Sequence, residues 1–204
     1  MKNTILTLFV AIFSSLSLQA QEFKLGLKAG MNFSQLKLDK DVLDAENSAG
    51  YQAGLWARLG LGNVHIQPEA YFTTKNSTVQ VPKESTPSEF IKGDLKFSNI
   101  DVPILIGTKF PLGIADFKLQ AGPLFSFVLD QDASYGDNIS NTYENALKNY
   151  KDSFTSIVVG TGLDILKFSV DLRYEFGLGN ISKFEEAGKQ KLNLWSISLG
   201  YSLF

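Results

Sequence analysis

Phe168-Ser169-Val170-Asp171-Leu172-Arg173-Tyr174-Glu175-Phe176-Gly177-Leu178 alternates without a break. Phe168, Val170, Leu172, Tyr174, Phe176 and Leu178 fall on one side; Ser169, Asp171, Arg173, Glu175 and Gly177 fall on the other. Period two is the signature of a β-strand. An unbroken apolar side opposite a side carrying Asp171, Arg173 and Glu175 describes a strand that separates two very different media. The stretches Phe23–Phe33, Tyr51–Leu59, Val64–Phe72, Ile100–Phe110, Phe117–Leu129, Ile157–Leu163 and Trp195–Leu203 repeat the design. With Phe168–Leu178 they make eight strands, each about long enough to cross a bilayer at a tilt.

The connections alternate too. Ser34–Gly50, Thr74–Lys96, Gln131–Ser153 and Gly179–Asn193 are long, whereas Gly60–Asn63, Pro111–Ala115 and Asp164–Lys167 are short. Short turns at one end and long loops at the other predict an all-β, eight-stranded antiparallel up-and-down transmembrane β-barrel. The competing architecture is a soluble eight-stranded barrel of lipocalin type, apolar inside and polar in water. Two features favour the apolar face outward. The polar face is rich in Gly (Gly26, Gly30, Gly54, Gly107, Gly122, Gly160, Gly162, Gly177, Gly200), as a crowded interior requires. The apolar face is aromatic near the strand ends, where girdles sit at membrane interfaces.

Composition narrows the chemistry. The chain has 204 residues, a formal net charge of −2, no Cys and a single His, His65. Thiolate and multi-histidine metal sites are therefore excluded, and no basic run supports nucleic-acid binding. No cofactor site and no catalytic residue is expected. His65 falls on the polar face just past a tight turn, and Glu69 lies about 13 Å along the same face at ~3.3 Å per residue, too far for a direct partnership. Asp39, Asp41, Asp44 and Glu46 cluster as Ca²⁺ ligands do, but EF-hand spacing is missing and Lys37 and Lys40 intervene, so a solvated loop is expected. Ser140–Asp152 has the pattern of a short capped helix with Tyr143, Leu147 and Tyr150 on one side.

Residues 1–20 read as a signal peptide: Lys2, an apolar run from Ile5 to Leu18, and Leu18-Gln19-Ala20 at the cleavage position. Residues 21–204 form the barrel domain. An eight-stranded interior is just wide enough for side chains to fill, so Lys28, Arg58, Glu69, Asp101, Asp171, Arg173 and Glu175 are expected to form a structural charge network in the lumen. Unpaired buried charge is costly, and Asp171 and Glu175 are expected to balance Arg173 and Arg58. A packed plug and an open conduction path are both compatible with this reading.

Three segments carry a family resemblance. Gly26-Leu27-Lys28-Ala29-Gly30-Met31-Asn32-Phe33-Ser34, Ile100-Asp101-Val102-Pro103-Ile104-Leu105-Ile106-Gly107 and Leu172-Arg173-Tyr174-Glu175-Phe176-Gly177-Leu178-Gly179-Asn180-Ile181 resemble the first, middle and penultimate strands of the PorT-type outer-membrane β-barrel family of Bacteroidota. The resemblance implies a cell outer membrane barrel in contact with lipid, inserted by the barrel-assembly machinery, with envelope or secretion-system proteins as partners. It implies little about activity. Phe204 ends the chain, but the apolar alternation runs through Leu203, Tyr201 and Leu199, one register off the usual pattern. The reading is a non-enzymatic barrel, structural or accessory to an envelope or secretion assembly, with surface loops for interaction. A narrow pore for ions or small solutes is the alternative, ahead of an outer-membrane hydrolase or acyltransferase and a soluble lipocalin-like carrier.

Overall fold

The computed structural model describes residues 22–38, 46–83, 86–135, 152–178 and 190–204. They form β1 (Glu22–Leu38), β2 (Glu46–Leu61), β3 (Val64–Lys83), β4 (Thr86–Pro111), β5 (Ala115–Tyr135), β6 (Ser153–Ile165), β7 (Phe168–Gly177) and β8 (Gln190–Ser202). Every strand pairs antiparallel with its chain neighbours, and β8 returns to β1 from Gly26↔Ser202 to Leu38↔Gln190, closing the barrel. Closure removes the open edge that a flat sheet would present. The expected signal peptide over 1–20, the acidic stretch Asp39–Asp44 and most of the expected helix over Ser140–Asp152 lie outside the described residues.

Inside and outside follow the alternation. On β1, Phe23, Leu27, Ala29, Met31 and Phe33 are exposed while Gly26, Lys28 and Asn32 are buried. On β7, Phe168, Val170, Leu172 and Phe176 are exposed while Ser169, Asp171, Arg173 and Glu175 are buried. The described interior is thus mainly polar, with a small apolar cluster of Tyr71, Leu105, Leu124 and Val158. The outer wall carries two rows of aromatic rings. Phe23, Phe110, Phe117, Phe168 and Tyr201 lie toward the short turns, with ring centroids 6.2 Å apart in Phe110–Phe117 and 5.3 Å apart in Phe168–Tyr201. Phe33, Tyr51, Phe72, Phe127, Tyr174, Phe176 and Trp195 lie toward the far end, where Tyr174 and Trp195 stand 4.7 Å apart. From Phe23 to Phe33 the chain rises about 25 Å along a barrel axis tilted ~40° to the strands, the height of a membrane apolar band.

The short connections are tighter than the sequence suggests. Gly62 and Asn63 alone join Leu61↔Val64, and Leu166 and Lys167 alone join Ile165↔Phe168. Both turns place a positive φ at their first central residue, +60° at Gly62 and +54° at Leu166, as two-residue hairpins favour. The expected long loop Thr74–Lys96 is corrected: β3 and β4 stay paired from Thr74↔Ser98 to Pro82↔Phe90 and meet at Lys83↔Thr86. Likewise β5 continues to Tyr135, paired with Gly93. Above the membrane neither face must be apolar, so the period-two signal fades although β-branched Thr78, Val79 and Val81 still favour a strand.

A cation placed at the middle of the outer wall tests its orientation. Ile106 is 60 % exposed on that wall, so Ile106→Arg should destabilise the vesicle-folded barrel by about 2–4 kcal/mol. Reversible denaturant unfolding measures this; an effect near zero would contradict a lipid-facing wall.

Candidate functional site: the barrel lumen

Glycine makes room in the lumen. Trp56 lies opposite Gly26, Tyr71 opposite Gly54, His65 opposite Gly107 and Arg173 opposite Gly160. A Cβ built on Gly26 would sit 2.5 Å from the Trp56 indole, one on Gly107 2.6 Å from the His65 ring, and one on Gly160 2.7 Å from Arg173 Cγ. The Gly-rich polar face therefore encodes the places where large side chains of the next strand lie down across the backbone. Trp56 then donates its Nε1 hydrogen to the Leu27 carbonyl at 3.0 Å, and the Arg58 guanidinium stacks 5.2 Å from its ring centroid.

Charges occupy the remaining space in three tiers. Nearest the short turns, Arg58 Nε donates to Gln67 Oε1 at 2.7 Å and its guanidinium pairs with Asp164. Lys118 Nζ reaches Asp164 Oδ1 at 2.7 Å and Asp171 Oδ1 at 3.0 Å, and Lys109 pairs with Glu22 at the rim. In the middle tier Arg173 grips both Glu69 oxygens, Nη1 to Oε2 and Nη2 to Oε1, each at 2.7 Å. Such bidentate, charge-assisted pairs are the strong and directional kind. Lys28 adds a third bond to Glu69 at 2.8 Å. In the outer tier Lys75 Nζ donates to both Glu175 oxygens at 2.9 Å, and Ser156 Oγ donates to Glu175 Oε1 at 2.8 Å. Lys75 Nζ lies 3.0 Å from Asp101 Oδ2, but neither Asp101 oxygen has hydrogen-bond geometry with it. One ammonium thus faces two carboxylates.

Beside this outer tier a cavity of about 10 Å³ remains, lined by Gln52, Tyr71, Lys75, Asp101, Arg173 and Glu175 among others. That is room for about one water molecule. Buried side chains crowd the lumen around it.

Lys28, Arg58, Glu69, Asp101, Asp171, Arg173 and Glu175 are all buried in the lumen, none more than 4 % exposed. Asp171 does meet Arg173, Nη2 to Oδ2 at 3.4 Å, as expected, but the rest of the pairing differs. Arg58 pairs with Asp164 instead of Asp171 or Glu175, and Glu175 pairs with Lys75. Lys75 was hidden because Thr74–Lys96 reads as a loop. The signal was present: 65, 67, 69, 71 and 73 point inward, and 75 continues the parity. His65 is 1 % exposed and neither ring nitrogen has a hydrogen-bond partner. Among the described residues no carboxylate orients it and no hydroxyl leans on it, so the pairing that activates a nucleophile is missing there. No group of three His, Asp or Glu among the described residues is placed to hold a metal ion.

Comparison with known proteins adds a family. A family model described as an outer membrane protein beta-barrel domain matches residues 19–183. No curated protein matches the chain. Among solved structures, the chain is similar to Ail, the attachment invasion locus protein of Yersinia pestis, at 18% identity and a TM-score of 0.41, over 90% of this chain and 100% of that one. It is similar to Neisserial surface protein A at 10% identity and a TM-score of 0.49, over 90% and 100%. The outer membrane protein AlkL, studied in lipid bilayers, matches at 11% identity and a TM-score of 0.38, over 87% and 90%.

Two substitutions test this packing. Lys75→Met strands two buried carboxylates and should cost about 3–5 kcal/mol in denaturant unfolding, whereas Asp101→Asn removes the excess charge and should cost far less. Gly26→Val should prevent the compact form that a folded barrel gives on unheated gels, and adding Trp56→Ala should not restore it, because the new Cβ also meets the Tyr201 carbonyl oxygen at 2.4 Å.

Proposed function

The chain belongs to the outer membrane protein beta-barrel domain family, and from that premise we propose that it is a sealed, non-enzymatic barrel, structural or accessory to an envelope or secretion assembly. The family points to the outer membrane. The observation that carries the proposal is the lumen: three tiers of paired, buried charge, with room for about one water in the cavity beside the outer tier. A barrel that neither conducts nor presents an activated nucleophile acts through its surfaces, and function on a rigid scaffold concentrates in its loops. A leader over residues 1–20 would deliver the chain to the periplasm. The strand segments that resemble the PorT-type barrels of Bacteroidota support an accessory role of the same kind, with the barrel-assembly machinery as the partner during insertion.

The experiment begins with fractionation of the native host. The protein is expected in the outer-membrane fraction, with a gel mobility that shifts on boiling. Purified protein in planar bilayers is then expected to be electrically silent; a steady, ion-selective current would replace the sealed reading with the narrow pore. Copurification of envelope proteins in mild detergent supports the accessory role, and a barrel recovered alone argues for a purely structural one.

A further inference from the structure

The three short turns and the C-terminal residues gather at one rim of the barrel, and apolar side chains stand out from all of them. Leu61 is 68 % exposed, Leu112 63 %, Ile114 88 %, Leu166 87 % and Phe204 75 %. Tight turns ordinarily use Gly, Asn, Asp or Ser. At Leu166 the choice opposes the backbone. Its φ of +54° is the left-handed region, open to the equivalent Gly62 but crowded by a Leu Cβ. Leucine there is disfavoured by the turn, so the reason for it lies in what surrounds its side chain.

Geometry supplies the surroundings. The row of Phe110, Phe117, Phe168 and Tyr201 marks the boundary of the hydrocarbon. Leu112 lies two residues beyond Phe110, and Leu166 two residues beyond Phe168. At ~3.3 Å per residue and a strand tilt near 40°, that is about 5 Å along the axis. The polar layer flanking the hydrocarbon core is itself about 5–8 Å deep. The tips therefore end within the head-group layer rather than in the water past it.

We propose that this rim is an interfacial lipid-binding collar, in which Leu61, Leu112, Ile114 and Leu166 insert among the head groups and first methylenes of the phospholipid leaflet facing the short turns. The occupant follows from continuity with the lipid-covered wall: exposed Val64, Phe110, Ile165 and Phe168 lead to the tips of these same turns. The collar resists any sliding that would carry these apolar tips out of the membrane into water. It rests on the outer-membrane reading of the wall.

The chain has no Cys, so single-cysteine variants Ile114→Cys, Leu166→Cys and Ile104→Cys can each carry one environment-sensitive nitrobenzoxadiazole probe. Each is folded into phosphatidylcholine vesicles, with heat-modifiable mobility as the folding check and Leu112→Cys as a further tip position. Probes at 114 and 166 are expected to lose emission to lipids brominated near the head-group end of the acyl chain and to be protected from aqueous iodide. The Ile104 probe is expected to respond to deeply brominated lipid. Iodide quenching at either tip, with Ile104 still in lipid, overturns the collar and makes the rim a face for a periplasmic protein. Iodide quenching at Ile104 as well overturns the membrane-wall reading itself.

Discussion

Hydrocarbon offers no partner to a backbone N–H or C=O, and each one left unpaired costs several kcal/mol. The rest of this molecule follows from that constraint. The sheet must close, and β1 meets β8 over a long ladder. Once closed, strand alternation sends every second residue outward into lipid and the others inward. The usual relation between core and surface is thereby inverted: leucines and phenylalanines face out, while lysines, arginines and carboxylates are buried.

Burying that many charges is stable only if they meet one another. The lumen solves this with directional pairs, several of which reach across the barrel. Glu69 of β3 holds Lys28 of β1 and Arg173 of β7 at once, and Asp164 of β6 holds Arg58 of β2 and Lys118 of β5. These bonds tie opposite walls together and set the width of the interior. The glycines complete the arrangement, because a tube this narrow accommodates Trp56 or Arg173 only where the facing strand has no side chain.

Much of this is legible in the sequence. Strand number, direction and facing were written in the alternation of stretches such as Phe168–Leu178, because lipid on one side and charge on the other leave a periodic trace. Pairing within the lumen was not legible. Which carboxylate meets Arg58 depends on register and shear around the whole barrel, and Glu69, an acid on the next strand, belongs to another tier. Lys75 was missed for a related reason. It follows Thr73 and Thr74, at the height where the wall leaves the membrane and the outward residues stop being apolar, so the pattern ended before the strand did.

The seam between β1 and β8 joins the two ends of the described chain, Gly26 to Ser202. The entropy of closing so large a loop grows only slowly with its length, but the seam cannot form until the final strand has been synthesised and delivered. Lys28 sits on that first strand, so its bond to Glu69 and the Arg173 clamp is complete only when β1 has been brought into the wall. Closure of the barrel therefore waits for β8. Until β8 pairs with β1, the sheet stays open and its edge strands present free backbone groups.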